Sequence, residues 1–325
     1  MRHENYCLDE DKFLANTGCV SKNMFFIGMI LAASGFVSPP VALVGGIIYG
    51  FSFVHPFHLA ARQLSKLLLQ ASVVGLGFGM DLQLVIHVGR TGFLYTAGSI
   101  SFAMLLGWGL GRLLAVKQGT SFLITAGTAI CDGSAIAAIA PITNASEEEI
   151  AVSLGTVFML NSVALLAFPA IGAALHLTQT QFGLWSALAI HDTSSVVGAT
   201  AKFGAVALAV GTTVKVARAL WIVPLSVGTA MAKKSKARIQ WPWFILFFCL
   251  AAVANTYMHT FQKLYPSLKH LGVIGLTVTL FLIGTGLSKK TLQEMGARPL
   301  LQGVLLWIVV AVGSLALIRG GWIHL

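Results

Sequence analysis

Apolar runs recur along the whole chain, separated by short polar joints. They lie near 23–37, 40–54, 61–80, 92–112, 119–141, 149–175, 180–201, 203–231, 241–260, 270–288 and 299–319. A helix needs about 17 to 25 predominantly apolar residues to cross the hydrocarbon core of a bilayer. The pattern predicts an all-α polytopic membrane protein of about 9–11 transmembrane helices. No stretch reads as a separate soluble domain. Residues 1–22 form a polar tail and 23–325 a single transmembrane domain, with halves at about 40–175 and about 178–320.

Composition agrees with that pattern. Hydrophobic residues make up 56% of the chain and charged residues 10%, where a soluble domain carries about 25% charged residues. The net charge of +10 would suggest nucleic acid in a soluble protein, but its distribution gives another reading. With the N-terminus inside, the inside joints hold 14 basic residues and the outside joints 5 (Arg90, Lys202, Lys263, Lys269 and Arg319), leaving Lys215 and Arg218 within a segment and accounting for all 21. Short cytoplasmic loops are enriched in Lys and Arg. The bias therefore predicts a cell inner-membrane protein with a cytoplasmic N-terminus and a periplasmic C-terminus, its partners a lipid bilayer and a small solute. No nucleic-acid motif is present. The N-terminal MRHENYCLDEDK lacks the apolar core of a cleaved signal peptide. Cys7, Cys19, Cys131 and Cys249 make no metal-ligand spacing, and the last two read as small apolar residues.

Two weak internal similarities appear. Gly75 to Gly92 (GLGFGMDLQLVIHVGRTG) resembles Leu282 to Pro299 (LIGTGLSKKTLQEMGARP). Ala129 to Ile136 (AICDGSAI) resembles Ala189 to Val196 (AIHDTSSV), and the stretches from Leu154 and from Val210 that follow also match. Such repeats are the trace of duplicated transporter halves. The first pair is seven segments apart, as an inverted repeat requires. The second pair is two apart, so it is inverted only if both segments are re-entrant hairpins from opposite faces. The alternative is that both cross as broken helices.

Of eleven carboxylates, only Asp132 and Asp192 fall deep inside apolar segments, where a charge costs about 2.5 to 3.5 kcal/mol even on the lenient insertion scale. Each sits beside helix-weakening, hydrogen-bonding residues: Gly133 and Ser134 in one copy, Thr193, Ser194 and Ser195 in the other. A break there frees backbone groups that are tolerated only inside protein or along a cavity, and half-helix ends are common ion sites in transporters. The plainer reading is that both aspartates cap half-helices. Lys215 and Arg218, three apart, share a helix face. They are candidates as counter-ions to the aspartates, as attractors of an anionic substrate, or as snorkelling cations. Asn161 is a candidate hydrogen-bonder across the core or helix-packing glue. His191 is a candidate for proton coupling, since histidine changes charge near neutral pH, or a structural hydrogen-bonder. Gly107/Gly111 and Gly45/Gly46 read as close-packing glycines, and Trp241, Pro242 and Trp243 as an interfacial anchor. Adjacent His191 and Asp192 give no reason to expect triad geometry, so the chain is not expected to be an enzyme.

Together, GLGFGMDL, GTAICDGSAIAAIAPI, LGTVFMLNSVALLAFP, AIHDTSSVVGA and FLIGTGLSKKTLQEMGARPLLQGVLLW resemble the YeiH family, which carries a sulfate-exporter label. The first-half order also looks like the bile acid–sodium symporter and cation/proton antiporter superfamily. The resemblance implies two inverted repeats, a scaffold and a mobile core with unwound crossing helices, and a substrate near Asp132, Ser134, His191, Asp192 and Ser194. The expectation is a secondary transporter of a small anion: sulfate, sulfonate, bicarbonate or an organic anion. The alternative is a sodium- or proton-coupled carrier of another solute, with Asp132 and Asp192 as the coupling-ion site. No cofactor is expected beyond Na+ or H+ as coupling ion, and no bound metal. A homodimer through the scaffold helices is compatible with a transporter of this type.

Overall fold

The computed structural model describes residues 20–53, 56–80, 82–233, 243–287 and 296–323. The tail to residue 19, the basic linker 234–242 with Trp241 and Pro242, and residues 288–295 of the C-terminal repeat copy lie outside the described residues. All regular structure among the described residues is helical. In chain order the helices are α1 Val20–Ala33, α2 Pro39–Ser52, α3 His58–Gly77, α4 Leu82–Leu113, α5 Gln118–Ala129, α6 Asp132–Thr143 and α7 Glu147–Ala174. They continue as α8 Gln179–Ala189, α9 Thr193–Phe203, α10 Ala205–Ala219, α11 Ile222–Lys233, α12 Trp243–Tyr257, α13 Tyr265–Thr285 and α14 Ala297–Arg319. Among the described residues, five stretches are long and apolar enough to cross a membrane: Val85–Leu113, Glu148–Ala174, Ala205–Lys233, Tyr265–Thr285 and Ala297–Arg319. Shorter apolar helices, α1, α2 and α12, join them. The protein is an all-α polytopic membrane protein.

The helix boundaries follow local chemistry. The glutamate run opens α7 through a capping box, in which Ser146 Oγ accepts from Glu149 N–H and Glu149 accepts from Ser146 N–H. That pair satisfies two donors the first helical turn leaves free. Thr178 and Gln181 do the same for α8. Between α10 and α11 the chain turns at Leu220 and Trp221. Pro224 lies four residues beyond Leu220, so its ring crowds the Leu220 carbonyl and favours a break there.

The helices sort into two bundles. In one, α13 packs along α2 and α3, with α1 and α12 alongside. Small residues set that contact: a Cβ on Gly46 would fall 3.0 Å from Gly284 Cα, and one on Gly75 would fall 3.1 Å from Gly272 Cα. Gly45 has open space instead, so of that pair only Gly46 serves close packing. In the other bundle α4 to α11 surround two hairpins, with α14 against α4, α5, α7 and α8. Gly107 and Gly111 of α4 lie against Thr125 and Ser121 of α5, as close-packing positions should. A thinner seam joins the bundles where α9 meets α13 and α2, and where α4 meets α12.

Candidate functional site

The segments 119–141 and 180–201 are each a pair of short helices folded back on themselves. Around the first, Lys117 at the start of α5 reaches Glu148 at the start of α7 at 3.4 Å, and Ser153 Oγ donates to Thr120 O at 3.3 Å. Thr143, the last residue of α6, is separated from α7 only by residues 144–146. The hairpin α5–α6 therefore enters and leaves at the N-terminal end of α7. Around the second, Gln179 Oε1 at the start of α8 accepts from Val206 N–H of α10 at 3.0 Å. Phe182 stacks on Phe203 at 3.8 Å between centroids. Gly204, at φ 154, links α9 directly to α10, a conformation open mainly to glycine. The hairpin α8–α9 thus enters and leaves at the C-terminal end of α7. Between those ends α7 runs 28 residues, or about 42 Å.

The two tips meet in the middle. Cys131 Sγ lies 3.4 Å from Thr193 Oγ1. Four half-helix ends converge here: the C-termini of α5 and α8 and the N-termini of α6 and α9. A helix C-terminus leaves carbonyls without intrahelical partners and carries partial negative charge. Lys215 and Arg218, both fully buried on α10, supply the donors. Lys215 Nζ donates to Ile130 O at 3.2 Å and to Ile190 O at 2.8 Å. The Arg218 guanidinium donates to Ala129 O through Nε at 2.9 Å and also through Nη2, and to Leu188 O through Nη1 at 2.9 Å. Trp307 of α14 adds a third donor, its Nε1–H reaching Ala189 O at 3.1 Å.

The three sequence readings of Lys215 and Arg218 meet a different geometry. Neither makes an ion pair with Asp132 or Asp192. Two of the three Lys215 donors and three of the five Arg218 donors go to backbone carbonyls. Nor do they snorkel, since both side chains end in the protein interior.

The N-termini of the other two half-helices carry the aspartates, and the two copies differ. Asp192 is the N-cap of α9: its Oδ2 accepts from Ser195 N–H at 3.0 Å, from Ser195 Oγ at 3.2 Å and from Ser194 Oγ. Asp132 is the first residue of α6, at φ 26, and makes no such cap. Its Oδ2 instead accepts from Asn161 Nδ2 on α7, while Asn161 Oδ1 accepts from His191 N–H at 3.1 Å. One amide therefore ties the first hairpin's carboxylate to the second hairpin's backbone. Asp132 Oδ1 and both ring nitrogens of His191 are buried without a protein partner. Buried polar atoms are nearly always hydrogen-bonded, so these three carry hydrogen-bonding capacity that the protein itself does not meet. Gly133 and Ser134 are half-buried, whereas Thr193, Ser194 and Ser195 are buried. Two carboxylates at two N-termini and two cations at two C-termini leave the crossing formally neutral.

The geometry brings Asp132, Asn161, His191, Asp192, Thr193, Lys215 and Arg218 together. Sequence reasoning missed Cys131, read as apolar filling, and Trp307, whose polar N–H within an apolar run was the available signal. It also missed the carbonyls of residues 129, 130, 188 and 190, because a main-chain acceptor has no sequence signature.

A family model described as conserved hypothetical protein 698 matches residues 17–303. A UPF0324 membrane protein of Bdellovibrio bacteriovorus is 50% identical over 94% of this chain and 96% of its own length. One from Bacteroides thetaiotaomicron is 48% identical over 90% of each chain. One from Geobacter sulfurreducens is 45% identical over 94% of this chain and 99% of the relative. No solved structure matches the chain.

Proposed function

The chain belongs to the conserved hypothetical protein 698 family, the YeiH-like family of UPF0324 membrane proteins, and on that premise we propose that it is a secondary transporter of a small anion. The observation that carries the reading is the crossing itself: two re-entrant hairpins meeting tip to tip, with buried carboxylates at two half-helix N-termini and buried cations at two C-termini. Half-helix ends at mid-depth are what secondary transporters use to hold substrates and coupling ions. Hairpins that enter from opposite ends of α7 also support reading the two copies as inverted repeats. The bundle of α4 to α11 with α14 is then the moving core, and α1 to α3 with α12 and α13 the scaffold.

The anion's seat, in this reading, is the N-terminal turns of α6 and α9, where N–H groups and the positive ends of two helices converge. Gly133 and Ser134 form its half-open side. Ionised Asp132 and Asp192 occupy the same positive ends and compete with the anion. A proton or sodium ion on a carboxylate relieves that competition, so anion and cation bind together. The unpartnered Asp132 Oδ1 and His191 ring nitrogens are the groups on which such an ion or water rests. The same observation supports the second reading, a cation-coupled carrier of another solute. Under the positive-inside bias, the protein lies in the inner membrane with its N-terminus in the cytoplasm and its C-terminus in the periplasm.

The test is a thermal-shift screen of the purified protein in detergent. The ligands are sulfate, sulfite, sulfonates, bicarbonate and small carboxylates, with and without sodium. Ligands that bind the native state raise apparent stability. A shift with one anion that grows with acid or sodium in wild type, and that Asp132→Asn or Asp192→Asn keeps but makes independent of acid and sodium, supports the anion seat. A shift with sodium or pH alone, dependent on the same residues, transfers the site to the cation-coupled reading.

A further inference from the structure

The sequence reading counts Arg90 among the outside joints, but the structure places it inside α4, beyond the start of the apolar stretch Val85–Leu113. Its depth is fixed by its neighbour: a Cβ on Gly92 would fall 3.1 Å from Val214 Cγ2, and Val214 directly precedes Lys215. Arg90 lies two residues nearer the start of α4 than Gly92 and about 8 Å inside the apolar stretch that opens at Val85, on the far side of α10 from the crossing. It is exposed, and among the described residues no carboxylate or carbonyl takes its guanidinium.

Arg90 lines a groove of about 580 Å³ between α4, α10 and α12. Apart from Arg90 and Thr213 the lining is apolar, with Ile86, Phe93, Val216, Leu220 and Phe248 on its walls. Phe93 stacks on Trp221 at 4.6 Å, which stiffens the wall on the α11 side. A guanidinium inside an apolar span is costly, and from this shallow position its long side chain reaches the headgroup level, where a lipid phosphate can pair with it. A planar fork of N–H donors matches a phosphate in two-point fashion. The walls offer a phosphate's neighbour only hydrocarbon.

We propose that this groove is a binding site for an anionic phospholipid, with one acyl chain against the apolar walls and the phosphate on Arg90. The lipid lies on the seam between the bundles, because α12 packs on α3 while α4 and α10 belong to the bundle that holds the crossing. It bridges the two bundles without reaching the crossing, from which α10 separates it. This site does not depend on which solute the crossing carries.

Native mass spectrometry of the full chain in mild detergent tests it, with phosphatidylglycerol and phosphatidylcholine added in equal amounts. Wild type is expected to retain phosphatidylglycerol about fivefold better, because the choline cation of phosphatidylcholine offsets the phosphate charge that Arg90 meets, a difference of about one basic contact at an anionic surface. Arg90→Ala should remove the preference. Val216→Phe, which fills the groove and keeps Arg90, should reduce retention of both lipids. Equal retention of the two lipids by wild type, or an unchanged preference in Arg90→Ala, overturns the proposal. So does displacement of the bound lipid by millimolar sulfate or inorganic phosphate, which would make the occupant a free anion.

Discussion

The thiol of Cys131 and the hydroxyl of Thr193 lie 3.4 Å apart, so the tip of one hairpin touches the tip of the other. Sixty-one residues of chain separate the two positions, and the contact exists because α5–α6 and α8–α9 both turn back at the same depth.

That contact can be trapped. Two side chains whose ends are this close stand near the separation a disulfide spans. Thr193→Cys is expected to crosslink with native Cys131 on mild oxidation, read by mass spectrometry under non-reducing conditions. Adding Cys131→Ser should abolish the product. Folded Thr193→Cys that never crosslinks would mean the tips do not meet.

Lys215 and Arg218 are expected to matter first for folding. Lys215→Met strands the carbonyls of Ile130 and Ile190, and Arg218→Met those of Ala129 and Leu188. A buried group left without its partner costs about 1–3 kcal/mol. Each variant should therefore melt several degrees lower in detergent whether or not an anion is present. Wild-type melting with loss confined to anion-induced shifts would instead favour direct substrate contact.

The two aspartates should separate structure from transport. Asn caps a helix about as well as Asp, and loss of the cap costs about 1 kcal/mol. Asp192→Asn should keep near wild-type stability, while Asp192→Ala should lose about that amount. Both should impair flux and alter its dependence on pH. Equal stability of the two variants, measured by thermal unfolding, would show that the cap of α9 is unimportant.

Neighbouring glycines on α2 make a sharper packing test. Gly46→Ala drives a methyl into the backbone of Phe281 and Gly284, an overpacking cost of about 1–3 kcal/mol. Gly45→Ala enters open space and should be neutral in the same unfolding assay.

Much of this arrangement was legible in the sequence. Each of the eleven apolar runs overlaps one helix or one broken pair, and the breaks fall beside Asp132 and Asp192 as their glycine and serine neighbours suggest. Hydropathy could not separate a re-entrant hairpin from a crossing helix, because the run 119–141 has the length of either. The partners of Lys215 and Arg218 were hidden for a different reason: they are carbonyls, which every residue possesses. Arg90 was misplaced because α4 begins at Leu82, ten residues before the uninterrupted apolar run. The two Asp motifs look equivalent in sequence. Only the backbone, extended at Asp192 and left-handed at Asp132, makes one a cap and the other a partner of Asn161.

The most direct measurement is flux of labelled sulfate and the other candidate anions into proteoliposomes with an imposed pH gradient. Wild type would run beside Asp132→Asn and Asp192→Asn. The expected result is saturable uptake of one anion that responds to the gradient and is lost in both variants. Folded protein that moves none of these anions, or moves one equally well with both carboxylates neutralised, would contradict transport at the hairpin crossing.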